Sequence, residues 1–189
     1  MSLRLQTPPA SPPITLDQAK LHCRVIADSE DELISALIEA ATQDAEHLMG
    51  RAVMPQKWQL SLEAFAPSIE LHRPTVTAVD SVKYVDEAGV LQTLPSTEYQ
   101  FVGATDYVAR VVPAYGKFWP PARFQPEAVQ IVFSCGYESK EAVPELIKAW
   151  IKLRVGALYE HRETWTAGLK IEPNEHVDRL LDRYRIWTL

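Results

Sequence analysis

The stretch Val82-Lys83-Tyr84-Val85-Asp86-Glu87-Ala88-Gly89-Val90-Leu91-Gln92-Thr93-Leu94 reads as a β-hairpin. Val82 and Tyr84 fall on one side of an extended segment, Asp86 to Gly89 supplies turn chemistry, and a second apolar run follows. The hairpin lies inside a longer region, Pro55 to Gly136, where the apolar period is two. Trp58, Leu60 and Leu62 alternate, and Tyr107–Val112 and Val129–Ser134 add two further strands. Prolines from Pro55 to Pro126 confine this region to short strands with Pro-bounded connections. No strand-helix-strand alternation occurs, which argues against a doubly wound parallel sheet.

Outward from this region the period turns helical. On the N-terminal side, Thr15-Leu16-Asp17-Gln18 forms a capping box that starts a short helix through about Arg24. Ser29-Glu30-Asp31-Glu32 reads as a second box, followed by Leu33, Ile34, Leu37, Ile38, Ala41, Ala45 and Leu48, with Gly50 as the stop. On the C-terminal side Pro144 opens a helix with Leu146, Ile147, Trp150, Ile151, Val155, Leu158 and Tyr159 on one face. After a loop through Gly168 and Pro173, Val177, Leu180, Leu181 and Tyr184 mark a last short helix. The expected fold class is therefore α+β: N- and C-terminal helices packed together, with a β-rich middle insert of short antiparallel strands. The expected organisation is a flexible Pro-rich segment 1–13 and a single domain 14–189. Within that domain 14–54 carries the first helices, 55–137 the β-rich insert, 141–185 the last helices and 186–189 an apolar tail.

A chain of 189 residues buries enough surface to fold without a metal or disulfide. Cys23 and Cys135 stand far apart with no Cys-x-x-Cys or Cys/His spacing, which fits a reducing compartment. No segment reads as a signal peptide or membrane span, so a soluble, non-secreted protein is expected. Nineteen Lys and Arg against 25 Asp and Glu give a net charge of −6, the wrong sign for gripping phosphates. The same charge is compatible with standing close to DNA without adhering to it.

The sequence-local signatures of catalysis are missing: no dinucleotide or P-loop glycine pattern, no His-Glu-x-x-His, no nucleophile elbow. His22, His47, His72, His161 and His176 fall in separate segments and read as surface residues rather than ligands. Cys135 ends a strand without a nameable base beside it and reads as core. Asp28, Glu30, Asp31 and Glu32 lack the alternation of a calcium loop and read as helix-start acids. The basic group Arg154, His161, Arg162 and Lys170 is interleaved with glutamates and reads as a solvated helix face. No catalytic residue, cofactor or metal is assigned.

Two features are built for contact. In Val112-Pro113-Ala114-Tyr115-Gly116-Lys117-Phe118-Trp119-Pro120-Pro121, three prolines and a glycine fix a loop that carries three aromatic rings. Tyr115, Phe118 and Trp119 pack either on this chain's own core or on another surface, and they are candidate interface residues. Arg185, Ile186, Trp187 and Leu189 form an apolar chain end that needs cover, either from the chain's own helices or from a partner.

Taken together, these segments resemble the head–tail connector (adaptor) family of tailed bacteriophages and prophages, often described as DNA-packaging proteins. The resemblance is carried by Thr15-Leu16-Asp17-Gln18-Ala19-Lys20 with Arg24-Val25, by Asp28 to Ala41, and by Gly50-Arg51-Ala52 before Trp58. It continues through Leu71-His72-Arg73-Pro74, Val79-Asp80-Ser81-Val82, the Val112 to Pro120 loop, Phe133 to Tyr137, and Val143 to Ala149. Two departures are Cys23, where relatives often carry Leu, and a longer β-rich middle than in the smallest connectors. The resemblance implies a structural protein without catalysis that forms a ring, twelvefold in the family, beneath the portal protein. It also implies that the ring continues the DNA channel without sequence-specific binding and supports the next tail or stopper component. The implied location is the virion head–tail junction, with assembly in the bacterial cytoplasm. An enzyme with a site between sheet and end helices, or a prophage binding or regulatory module, are the alternative readings.

Overall fold

The computed structural model describes residues 1–103, 108–161 and 175–186, the side chains of 175 and 176 excepted. The expected strand start at Tyr107, the loop through Gly168 and Pro173, and Arg162, Lys170, Trp187 and Leu189 lie outside these residues. Contacts divide the chain into two compact units, Met1–Ala10 with Pro55–Tyr137 and Ser11–Met54 with Glu138–Leu189, where the sequence suggests one domain over 14–189.

The first unit is a pair of antiparallel sheets. Its strands are β1 (Ser2–Thr7), β2 (Gln56–Leu62), β3 (Ile69–Glu70), β4 (Val76–Val85), β5 (Leu91–Leu94), β6 (Tyr99–Val102), β7 (Arg110–Pro113) and β8 (Val129–Cys135). The five-stranded sheet has the order β1-β2-β8-β4-β5, and the three-stranded sheet the order β3-β7-β6. The hairpin is β4–β5, in register Val82↔Leu94 and Val85↔Leu91. Asp86 closes its turn: Oδ1 accepts from Val90 N (2.8 Å) and Oδ2 from Gln92 Nε2 (2.8 Å). These bonds, the one from Gln92 foremost, hold the Asp86 carboxyl below the usual carboxylate range.

Strict alternation in β8 buries Val129, Ile131, Phe133 and Cys135 while their neighbours stay half-buried. Register then builds a row across the sheet. Leu60 and Val82 both oppose Ile131, and Leu94 opposes Val82, all four buried. In the smaller sheet Val111 opposes both Ile69 and Phe101.

Residues 2–7, expected to belong to a flexible arm, instead form β1. The run Leu3-Arg4-Leu5-Gln6 alternates and finds an open sheet edge in β2, where Leu3 opposes the buried Leu60. The prolines at 8, 9, 12 and 13 dominate the composition of the segment without preventing a strand before them.

The second unit is helical: α1 (Leu16–Cys23), α2 (Asp31–Met49), α3 (Glu145–Glu160) and α4 (Glu175–Asp182). The box at Thr15 forms as expected, Thr15 Oγ1 accepting from Gln18 N (3.2 Å) and Gln18 Oε1 from Thr15 N (3.0 Å). The box expected at Ser29 does not form. Asp28–Glu30 is a 3₁₀ turn, so Ser29 lies inside a helical turn and α2 starts at Asp31 without a side-chain cap. The acids there serve Lys20 instead, whose Nζ reaches Asp28 (2.8 Å) and Asp31 (2.6 Å) and joins α1 to the start of α2.

α2 and α3 pack together through Ile34, Ile38, Ala41 and Ala45 on one helix and Ile147, Trp150, Ile151 and Val155 on the other, the buried stripes of each. Polar links stand at the edges of this contact. Arg154 bonds Asp44 (Nε 3.0 Å, Nη2 2.9 Å), Tyr159 hydroxyl bonds Glu30, and Trp150 Nε1 reaches Asp178 of α4 (3.0 Å). Gly50 ends α2 with φ +71°, a conformation in which its amide donates to Glu46 O (2.9 Å).

Candidate assembly interface

The segment Ala114–Pro121 leaves β7 through a turn closed by Lys117 N to Ala114 O (2.9 Å), with Gly116 at φ +72°. The three rings on this loop do different things. Trp119 turns inward: its indole stacks on Phe65 with centroids 4.6 Å apart and planes 8° apart, and Nε1 donates to Ala66 O (2.7 Å). Phe65 in turn meets Tyr84 of β4 at 5.7 Å in a tilted arrangement. Tyr115 and Phe118 turn outward and are 98% and 90% exposed. A salt bridge from Lys117 to Glu98 (3.1 Å) and Ala114 N to Glu98 O (2.9 Å) brace the loop from the other side.

The outcome is a braced loop that holds two bare aromatic rings in water. Beside it lies an open groove of about 580 Å³, lined by Phe65, Pro67, Lys117, Phe118, Trp119 and Pro120 among others. Phe124, 79% exposed, follows shortly along the chain. Exposed rings on a rigid support suit protein contact, since little conformational freedom is left to lose on binding.

The chain end follows a different pattern. Arg51 is fully buried, its Nε donates to Tyr184 O (2.7 Å), and its guanidinium lies 5.9 Å from the Tyr184 ring centroid. Ile186 N donates to Met49 O (2.8 Å), and Arg185 lies 3.6 Å from Asp182. Ile186 thus rests on the C-terminal end of α2, whereas Arg185 pairs with Asp182 of α4. The other two expected contact residues of the tail, Trp187 and Leu189, lie outside the described residues.

Two arginines from the segments that carry the family resemblance have partners far from them in sequence. Arg51 holds the chain end. Arg73, at φ +70°, lays its guanidinium over Trp58 at 4.9 Å. Neither relationship is visible as a local motif, because the partners are separated by 133 and 15 positions.

Cys135 is buried, with Sγ 3.8 Å from Gln56 O, and Cys23 is half-buried, its thiol pushed up by burial. Among the described residues no three His, Cys, Asp or Glu side chains are grouped to hold a metal. No described helix is long and apolar enough to cross a membrane.

Comparison with known proteins gives three findings. The family model for phage gp6-like head–tail connector proteins matches residues 13–85, fewer than half of the 189. No curated protein matches the chain. Among solved structures, a chain in the neck of the empty gene transfer agent (GTA) particle, computed with C6 symmetry, has TM-score 0.82 at 22% identity, covering 100% of this chain and 97% of that one. A chain in the virion of the native gene transfer agent particle matches with the same values. One in the native neck, computed with C12 symmetry, has TM-score 0.73 at 23% identity, with the same coverage. At such identities the likeness is one of fold, and it extends over the whole chain. The chain is similar to the phage gp6-like head–tail connector proteins over residues 13–85, and over its whole length its fold is similar to that of a chain in the neck of a gene transfer agent particle.

Proposed function

We propose that this protein is a structural head–tail connector. Copies join in a ring beneath the portal, extend the channel for DNA and give the next tail component a platform. The observation that carries this reading is the end-to-end likeness to a neck chain, together with the connector match over residues 13–85. The net charge of −6 supports it, because a channel wall must pass a polyanion without retaining it. Its place is the head–tail junction of the virion, reached by assembly in the host cytoplasm.

A ring requires a heterologous interface, two different patches of each copy meeting head to tail. Tyr115 and Phe118 form one such patch, with Trp119 as its internal support. Arg185, Ile186, Trp187 and Leu189 are proposed as the second contact region, toward the portal or a neighbouring copy. Isolated subunits need not assemble if the portal acts as template. The test is electron microscopy of the protein mixed with purified portal protein. Rings stacked on the portal are expected, and an unoccupied portal at micromolar protein would overturn the proposal.

A further inference from the structure

The strand β1 sits at the edge of the five-stranded sheet, paired to β2 in the register Ser2↔Ser61, Leu3↔Leu60, Arg4↔Gln59 and Leu5↔Trp58. Its side chains take little part in the core. Leu3 is half-buried, and the other five residues are exposed, Leu5 at 40% included. What holds the strand is the main-chain ladder, with a side-chain bond from Gln6 Nε2 to Gln59 Oε1 (2.6 Å). Any copy of the same six residues supplies that ladder equally well.

After β1 comes Pro8-Pro9-Ala10-Ser11-Pro12-Pro13, where the chain passes from one compact unit to the other. Four prolines in six residues leave the arm little conformational freedom; here it bends at Ala10, Ser11 and Pro13, Pro13 being buried, and straightened it would span at most roughly 20 Å at about 3.1–3.6 Å per residue. A detachable edge strand on such an arm is the arrangement that exchange between identical chains requires.

We infer that in the assembled ring β1 lies on β2 of the neighbouring copy, each subunit donating its strand to the next. The inference rests on the ring reading above. The exchanged ladder has the same hydrogen bonds as the closed one, so no contact is lost, and each subunit boundary gains a covalently tethered strand. Head-to-tail exchange leaves no β2 edge open once the ring closes, and the gene transfer agent necks that hold chains of similar fold were computed with C6 and C12 symmetry, which a closed ring would satisfy. An isolated chain covers its own β2 edge, as here, which leaves it no strand to offer until it is assembled.

Opposed residues of an antiparallel pair have Cα atoms about 4.5–5.5 Å apart, inside the range a disulfide spans. The test therefore uses Arg4→Cys/Gln59→Cys in a Cys23→Ser background, assembled on purified portal protein and oxidised. Non-reducing gels should show a covalent ladder from the rings and a single-chain band from unassembled protein. Should the double variant fold poorly, a 1:1 mixture of Arg4→Cys and Gln59→Cys chains replaces it, with a disulfide-linked dimer expected only after assembly. Rings seen by microscopy whose chains stay single would overturn the exchange and leave the connector reading standing. Absence of rings for the unmodified protein would overturn both.

Discussion

Arg51, fully buried at the end of α2, donates its Nε to the backbone carbonyl of Tyr184 at 2.7 Å and so ties the first helical segment to the last described residues of the chain. A buried guanidinium is stable only where its donors are engaged, and here the carbonyl that follows α4 engages one of them. Removing this side chain leaves a cavity and takes a donor from Tyr184 O. Arg51→Ala should cost at least about 2 kcal/mol, read as a lowered urea midpoint with unchanged slope.

The α2–α3 contact should respond by depth. Ile34→Ala and Ile147→Ala, both at fully buried positions, should each cost about 2–5 kcal/mol. Leu37 faces the same side of α2 but is only half-buried, so Leu37→Ala should cost less than about 2 kcal/mol. Denaturant titration of the three variants checks the order, and equal losses would contradict it.

The aromatic loop should separate folding from assembly. Trp119→Ala removes the stack on Phe65 and the bond to Ala66 O, and should lower stability by about 3–5 kcal/mol. Tyr115→Ser with Phe118→Ser changes two solvent-facing rings and should move stability by less than about 0.5 kcal/mol. If these rings meet a neighbour, the double variant should fold normally yet form rings at least about tenfold less readily, which sedimentation with portal protein would measure.

Lys20 makes the link between α1 and α2 sensitive to pH at both ends. Its bond and charge hold the Asp28 carboxyl below the usual carboxylate range, and the bonds it donates to Asp28 and then Asp31 hold the Lys20 ammonium above its ordinary range. A lowered carboxylate stabilises the fold above its unfolded value, and that contribution disappears as pH falls through the folded value, below about pH 4. A raised lysine stabilises below its unfolded value and loses the contribution as pH rises through the folded one, above about pH 10. Lys20→Met should therefore be less dependent on pH than the unmodified protein in both windows, measured by thermal melting across the range.

Elements whose signal is local were legible in the sequence. The Thr15 box, the stop at Gly50, the β4–β5 hairpin and the alternation of β8 each rest on neighbours a few positions apart, where backbone geometry and side-chain chemistry act directly. The same holds for the α+β layout, because helical and extended periods occupy separate blocks of the chain. Ser29 misled because a Ser-x-x-Glu spacing does not distinguish a cap from a residue one step inside a 3₁₀ turn, and the bonds to Lys20 decide between them.

What only tertiary structure decided depends on partners far along the chain. Sequence marks Tyr115, Phe118 and Trp119 as three equivalent rings; which one turns inward depends on Phe65 and Ala66 standing where a long loop returns. Likewise a six-residue alternation before a proline run has no visible reason to be a strand until β2 offers it an edge, and Arg51 has no visible reason to be buried until Tyr184 arrives. Local sequence sets which conformations a segment can adopt at low cost, whereas a long-range contact selects among them by burying surface that no local pattern encodes.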